Sequence, residues 1–237
     1  MKSTFFPRGD WRASFPLIAL GLCLAAPGIL RAQAPPPGDL GPLALKLPAP
    51  AFLGTPKDIP AGSTAELPSK TPRPPLMVPK DVKNVAPGSA ITSSDSNASA
   101  EDLAKLTDGD KEATDSSILL MRKGIQWVQF DLKTPQEIYA VVIWHAHDSQ
   151  KVYHDVIVQV ADDGGMTNNV QTLFNNDTGN ACKRGAGADR EYFESNQGKL
   201  IDSKGVKGRY VRLYSNGSTD SSMNEYTEVE IYARPAK

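Results

Sequence analysis

The amino-acid sequence predicts an all-β domain, a sandwich or a barrel, in its C-terminal part. Apolar and polar residues alternate along residues 126–132, the period of a strand that buries one face. Residues 137–144 form an almost continuous apolar run, as expected for a strand covered on both faces. No segment of helical length between residues 82 and 235 has a clear 3.6-residue period. Many strands with almost no helix are typical of sandwiches and barrels.

Three further segments read as strands: residues 155–160, 210–214 and 226–232. They are rich in β-branched and aromatic side chains, which pack well on a pleated surface. Clusters of Asp, Asn, Ser and Gly at residues 162–165 and 215–218 separate them and predict turns. About 150 residues are enough to enclose one sizeable core.

One short helix is expected between residues 98 and 106. Ser99 is of the type that caps a helix N-terminus, and Glu101 and Asp102 would lie in the first turn, where carboxylates are favourable.

The charge balance argues against nucleic acid as a partner. The chain has 26 Lys and Arg against 27 Asp and Glu, for a formal net charge of -1, and its basic residues are scattered. Proteins that bind a phosphate backbone concentrate positive charge on one face.

The first 34 residues have the pattern of a secretory signal peptide. Lys2, Arg8 and Arg12 precede an apolar run over residues 15–30, and small residues follow up to Ala34, the order that signal peptidase recognises. The run is short of the ~20 residues that a membrane-spanning helix needs. We expect cleavage after Ala34 and a secreted or periplasmic protein without a transmembrane anchor.

Cleavage would leave a single cysteine. Cys23 lies inside the apolar run, directly after Leu22 rather than after the small residue that bacterial lipidation prefers. Cys182 alone cannot form an internal disulfide. It could link two chains, although an unpaired loop residue is the favoured interpretation.

Residues 35–83 are expected to form a tether. Fourteen of the nineteen prolines lie between Pro35 and Pro87, and each proline removes a backbone donor and fixes φ. Such segments favour extended conformations and act as semi-rigid spacers. Scattered leucines and other apolar residues predict one or two patches that dock on the following domain.

Four segments together resemble a known family. Residues 106–110, 126–132, 208–213 and 228–232 stand in the order expected of a discoidin, or coagulation factor 5/8 type C, domain. The resemblance covers about residues 84–235 and implies a galactose-binding-like jelly roll, a fold shared with carbohydrate-binding modules. The leader and tether are similar to those of bacterial secreted proteins that carry such a module.

The loop around Asp108-Gly109-Asp110 is a candidate cation site. Two carboxylates flank a glycine, and hard cations such as calcium prefer oxygen ligands. The loop is not an EF-hand, because Ala113 and Leu119 stand where that motif needs Gly and Glu. A solvated turn without metal is the alternative. The family resemblance implies a structural calcium-like ion held by the early loop and the last strand, with these ligands: Lys105, Asp108, Asp110, Thr114 (or Ala113), Thr227 and Glu228.

Residues 144–154 contain all three histidines of the chain. His145 and His147 have the spacing of a zinc-binding pair on one strand face, although a plain polar loop is the more common outcome. In related modules this loop contributes contacts to sugars, so the resemblance implies these ligand-binding candidates: His145, Asp148, Lys151 and Tyr153. Trp144 ends an apolar strand and is expected in the core. The polar loop at residues 173–187 is either functional or a surface excursion.

Catalytic motifs are missing from the sequence. It has no Gly-x-Ser-x-Gly, no His-Glu-x-x-His and no cysteine–histidine signature. The prediction is therefore a non-catalytic secreted module that binds a glycan. The alternatives are an adhesion or assembly module that binds cell-surface or extracellular protein, and a hydrolase on a jelly-roll scaffold.

Overall fold

A computed structural model describes residues 1, 40–51, 63–67, 69 and 71–236. The predicted signal peptide and the start of the tether lie outside the described residues. The described residues from Leu40 onward form one compact unit. Within the described ranges no helix has the length and hydropathy needed to cross a bilayer.

The described chain is almost entirely β, as predicted. The elements, in chain order, are β1 (Leu40–Pro42), β2 (Met77–Pro79), β3 (Lys83–Asn84), β4 (Ala90–Ser93), α1 (Ala100–Ala104), a 3-10 turn (Lys105–Thr107), β5 (Leu119–Met121), β6 (Gln126–His145), β7 (Ile157–Ala161), β8 (Gln171–Asn175), β9 (Lys199–Ser215) and β10 (Asn224–Pro235).

Three long antiparallel strands organise a sheet in the order β3-β10-β6-β9-β7-β8. The first half of β6 pairs with β4 and with the end of β9, whereas its second half pairs with β10 and with the start of β9. The partners change at a register shift between Asp131 and Gln136, and a second register shift lies between Ile138 and Ala140. Irregularities of this kind let one strand serve both layers of a sandwich.

The main apolar core draws on both halves of β6. Val128 and Phe130 from the first half and Val141 and Ile143 from the second half belong to the same buried cluster. In the second half the other face is buried as well, at Ala140, Val142 and Trp144, so residues 137–144 are continuously apolar whereas residues 126–132 alternate. Trp144 is fully buried, as expected, and its indole N–H donates to the carbonyl of Asn196 at 3.0 Å.

The predicted short helix is present as α1. Ser99 caps it, because its hydroxyl accepts a hydrogen bond from the backbone N–H of Asp102, while the Asp102 carboxylate accepts from the N–H of Ser99. This reciprocal pair satisfies two of the free amides at the helix start. Leu103 anchors the helix on the core.

The described tether residues form an arm, defined here as residues 40–51, 63–67, 69 and 71–79. The sequence predicted an irregular segment with docked patches; the arm is largely irregular but contains β1 and β2, which pair with each other. Its prolines permit this pairing because the two strands have only each other as partners.

The arm also bonds to the sandwich. The Lys111 ammonium donates to the carbonyl of Lys46 at 2.9 Å, and the Asn196 amide donates to that of Pro48 at 2.9 Å. In the other direction, the Arg73 guanidinium donates to the carbonyl of Gly198 at 2.6 Å.

Candidate functional site

The early loop and the last long strand meet at Glu228. The backbone N–H of Gly109 donates to the Glu228 carboxylate at 3.1 Å. Glu228 is only 1% exposed, and this burial raises its pKa to about 8, with the nearby Glu230 and Asp108 adding to the effect. A buried carboxylate that receives one backbone donor is therefore held beside the loop predicted to bind a cation.

The remaining predicted metal ligands lie around this junction in different environments. Asp108 and Asp110 are exposed and accept hydrogen bonds from the backbone N–H groups of Asp110 and Glu112 at 2.8 and 3.0 Å. Thr114 is exposed, whereas Thr227 is buried and its hydroxyl donates to the Trp144 carbonyl at 3.1 Å. Lys105 belongs to the 3-10 turn that precedes the loop.

No three acidic, histidine or cysteine side chains among the described residues are grouped so as to hold a metal ion. A cation at this junction would therefore depend on backbone carbonyls in addition to Asp108 and Glu228. Calcium accepts such mixed oxygen ligands, so the residues present fit that ion, and the ion stays a prediction.

Lys111 is a component of this junction that the sequence reasoning missed. Its ammonium lies 2.7 Å from the Glu230 carboxylate and 4.7 Å from the centre of the Trp144 ring. It also holds the arm through Lys46. Only the fold brings these partners together, because in the sequence Lys111 is an ordinary loop lysine.

His145, a predicted ligand-binding residue, is completely buried. Its Nδ1 lies 2.7 Å from a carboxylate oxygen of Glu194. Its ring stacks on that of Tyr153 at 4.2 Å between centroids and lies 4.4 Å from that of Tyr226. This environment favours a supporting role for His145 over direct contact with a ligand.

Lys151 and Tyr153 are also buried, and Asp148 is the exposed member of the predicted set. The Lys151 ammonium lies 2.9 Å from the Asp148 carboxylate and 3.0 Å from that of Glu225. The Tyr153 hydroxyl donates to Glu225 at 3.1 Å and to the carbonyl of Ala146 at 3.2 Å. Asp148 is thus held at the surface by a buried polar network.

The three histidines face different partners. His147 Nε2 lies 2.8 Å from the carbonyl of Lys111, and His154 Nδ1 lies 2.8 Å from the Glu191 carboxylate. His145 pairs with Glu194. The described chain therefore offers no group of histidines converging on zinc.

His154 and Glu191 form a half-exposed pair that the sequence reasoning missed as a ligand contact. Their side chains are 37% and 30% exposed. His154 was not among the predicted ligand-binding residues, and Glu191 lies 37 residues away in the sequence. Their pairing follows from the contact between the loop after β6 and the segment before β9.

Asp177 organises the polar loop at residues 173–187. Its carboxylate is fully buried and accepts hydrogen bonds from the backbone N–H groups of Ala181 at 2.8 Å and Cys182 at 2.7 Å. The loop also places Cys182 against Ile157 and Tyr214. This part of the loop is consequently ordered by internal contacts.

Comparison with protein families identifies the central part of the sandwich. Residues 105–213 match the family model described as F5/F8 type C, NedA-like, galactose-binding domain. This segment is therefore similar to F5/F8 type C domains. The match includes the early loop at Asp108 and ends before Glu228, and it confirms the resemblance drawn from the sequence motifs.

Several solved structures are similar to this chain. A family 89 glycoside hydrolase from Clostridium perfringens, in complex with GlcNAc-alpha-1,4-galactose, is 14% identical with a TM-score of 0.48; the match covers 65% of this chain and 15% of that one. A fucose-binding module from Streptococcus pneumoniae is 20% identical with a TM-score of 0.44, over 64% of this chain and 98% of that one.

The CBM32 module of AlyQ, in complex with 4,5-unsaturated mannuronic acid, is 20% identical with a TM-score of 0.42, over 60% of this chain and 92% of that one. The chain thus spans 15% of the length of the glycoside hydrolase. A search of curated protein sequences found no match.

Proposed function

We propose that this F5/F8 type C-like domain is a non-catalytic carbohydrate-binding module of an exported protein, with a structural calcium-like ion between its early loop and β10. The observation that carries the proposal is the match of residues 105–213 to a galactose-binding domain. Export rests on the leader pattern of residues 1–34, and N-terminal sequencing of secreted protein should give Pro35 as the first residue.

The exposed rim of the loop after β6 is the proposed sugar contact. Asp148 and the His154–Glu191 pair offer carboxylate and imidazole groups to solvent, and sugar hydroxyls are bound by a few such fixed polar groups. The buried Lys151 and Tyr153 hold this rim in position. The predicted ligand residues thus divide into one that would touch the sugar and others that support it.

Absence of catalysis is proposed because three of the buried carboxylates are engaged within the fold. Asp95 is paired with Arg122 at 2.7 Å, Asp177 accepts two backbone amides, and Glu194 is paired with His145. A glycosidase needs two carboxyl groups that face each other across a substrate cleft. Carboxylates engaged in this way stabilise the fold.

The proposed ion would be held by Asp108, Glu228 and backbone carbonyls of the loop. Its role would be to fix the loop on β10 by balancing the charge of the buried Glu228 carboxylate. Lys111, engaged by Glu230, lies beside the site and would orient it without being a ligand.

A glycan array probed with the full chain, once with calcium and once with chelator, tests both the carbohydrate binding and the proposed ion. We expect binding to galactose-type or related glycans and weaker binding by Asp148→Ala and His154→Ala. Glu101→Gln, an exposed substitution in the first turn of α1, is the matched control. Binding of no glycan by the folded chain would overturn the carbohydrate assignment, and variants that bind as tightly as the control would move the contact away from this loop.

A further inference from the structure

A three-residue stretch of the arm, Thr64-Ala65-Glu66, lies against the sandwich and is joined to it by an isolated bridge at Glu66. The backbone N–H of Glu66 donates to the carbonyl of Glu191, and Glu66 forms a parallel bridge with Tyr192. On its other side, this segment of the sandwich forms an antiparallel bridge between Phe193 and Val152. Addition of an extended peptide to an exposed strand is a recurrent mode of peptide recognition.

A small apolar pocket receives the middle residue. Ala65 is 4% exposed and forms a separate buried cluster with Val152 and Phe193. This cluster lies apart from the main core. The pocket therefore accepts a small side chain at that position of a bound strand.

Two cations flank the pocket. The Arg190 guanidinium donates to the carbonyl of Thr64 at 2.9 Å and to that of Ala65 at 3.3 Å. The Lys199 ammonium lies 3.3 Å from the Glu66 carboxylate. Arg190 thus binds backbone carbonyls of an extended segment, and Lys199 binds an acidic side chain that directly follows the small residue.

Contacts within the sandwich also position the Lys199 ammonium. Its ammonium lies 4.6 Å from the centre of the Tyr192 ring and 5.0 Å from that of Phe174. Attraction between a cation and an aromatic face orients the ammonium. The site is therefore formed by the sandwich itself and is not created by the arm.

The contacts that hold residues 64–66 are weak enough for a competing peptide to replace them. The side chain of Glu66 is 60% exposed, and ion pairs in such surroundings contribute little net stability because water solvates both groups. The remaining contacts are a few backbone bonds and one alanine. A competing strand with the same chemistry can make all of them.

From these contacts we infer that the cleft formed by Val152, Arg190, Tyr192, Phe193 and Lys199 is a peptide-binding site. Its partner is an extended segment of another protein in which a small residue is followed by Asp or Glu. Residues 64–66 of the arm are its resident occupant and keep it closed when no partner is present. This function is additional to glycan binding. The two sites adjoin at Glu191, whose carboxylate belongs to the proposed sugar contact and whose carbonyl accepts from Glu66.

Fluorescence anisotropy with a labelled peptide of the sequence of residues 61–69 tests the inference on the full chain. In the wild type the arm competes at the millimolar effective concentration of a tethered ligand, so we expect binding to be weaker by at least about tenfold than in an arm-released variant. That variant is Ala65→Asp with Glu66→Lys, which places a charge in the apolar pocket and reverses the charge facing Lys199. Glu66→Lys alone is a second variant, which should weaken the contact of the arm with Lys199 but leave Ala65 in its pocket.

Charge reversal supplies the control. In the released variant, Lys199→Glu should weaken binding of the peptide, and a peptide with Lys in place of its Glu should restore it. Circular dichroism and thermal melting must show that each variant is folded.

Failure of every folded released variant to bind the peptide would overturn the inference, as would equal binding with and without Lys199→Glu. A uronic-acid oligosaccharide serves as a competitor. Displacement of the peptide by this acidic sugar at comparable concentration would overturn the peptide assignment, because the cleft would then be an acidic-glycan site.

Discussion

Nδ1 of His145 lies 2.7 Å from a carboxylate oxygen of Glu194, and neither side chain has any exposed surface. The imidazole is also stacked on Tyr153. The pair joins the end of β6 to the segment that precedes β9, two parts of the chain 49 residues apart. It therefore links the loop proposed to bind sugar to the segment on which the arm lies.

Loss of one member of this pair should destabilise the domain strongly. Removing one partner of a buried pair leaves the other without its hydrogen bond, at a cost of ~1–3 kcal/mol. We expect a loss of this size in the free energy of unfolding for Glu194→Ala, measured by urea denaturation. Glu194→Gln, which keeps one acceptor oxygen, should cost less.

A double substitution separates coupling from simple loss of packing. His145→Phe with Glu194→Leu replaces both polar groups by apolar ones, and its cost should be smaller than the sum of the two single costs. Additive costs would contradict a direct interaction between the two side chains.

Gly198 should tolerate no larger residue. Its φ is +61°, and an added Cβ would lie 2.7 Å from the Trp144 ring and 2.8 Å from the carbonyl oxygen of Ile143. Gly198→Ala therefore incurs both left-handed strain and an overpacking cost of typically 1–3 kcal/mol. Gly124, with a φ of +84° and nothing within 4 Å, is the matched control, because Gly124→Ala incurs only the strain.

Thermal melting of the two glycine variants measures the difference. We expect Gly198→Ala to melt well below Gly124→Ala. Equal melting temperatures would mean that the Trp144 ring and the β6 backbone move away at little cost.

The strands were predictable where their side chains repeat with a period of two. The segments at 126–132 and 137–144 were both found, because burial on one or two faces leaves a pattern in the sequence. The sequence did not predict that these segments form one continuous strand, β6. Lys133 adopts a positive φ of 70°, and the pairing partner changes near it. Short edge strands such as β4, with only four residues, carry too few positions to show a period.

The candidate sites were predictable only in part, for a similar reason. A motif such as Asp108-Gly109-Asp110 identifies a loop, but not which distant side chain reaches it. The contacts of Lys111 with Glu230 and of His154 with Glu191 join residues 119 and 37 positions apart. Nothing in either local sequence indicates the partner, and burial of His145 depends on aromatic rings from two other segments.

The thiol of Cys182 should be unreactive in the folded protein. The side chain is buried, and burial together with the neighbouring Asp177 and Asp155 raises its pKa to about 12. The thiolate is the reactive form, so at pH 8 a thiol reagent should label the native chain far more slowly than the chain in urea. Rapid labelling of native protein would contradict this burial.

The same burial predicts the state of the purified protein. Electrophoresis without reductant should show a monomer, and Cys182→Ser should behave identically. A reducible dimer band that this substitution removes would establish an interchain disulfide.

The buried carboxylate of Glu228 should make stability depend on pH. Its pKa is raised from 4.5 to about 8 in the folded chain. Below pH 4.5 it is protonated in both the folded and unfolded states, and no penalty arises. As the pH rises from 4.5 to 8, the unfolded state releases the proton first, so folding stability falls. At about 1.4 kcal/mol per pKa unit, the loss amounts to a few kcal/mol.

Glu228→Gln isolates this effect from other titrating groups. The amide keeps an oxygen that can accept from Gly109, but it has no charge to bury. In chelator, the wild type should lose stability relative to Glu228→Gln between pH 4.5 and 8, measured by denaturation at each pH. A constant difference between the two proteins would contradict the raised pKa.

Calcium should cancel this loss if the proposed ion binds at the junction of the early loop and β10. A bound divalent cation favours the ionised form of Glu228, so the wild type with calcium at pH 8 should be more stable than in chelator, by RT ln(1 + [Ca²⁺]/Kd). Glu228→Gln and Asp108→Asn should both reduce the gain. If calcium leaves the wild-type denaturation curve unchanged at pH 8, the carboxylate is accommodated without a metal and the calcium hypothesis is wrong.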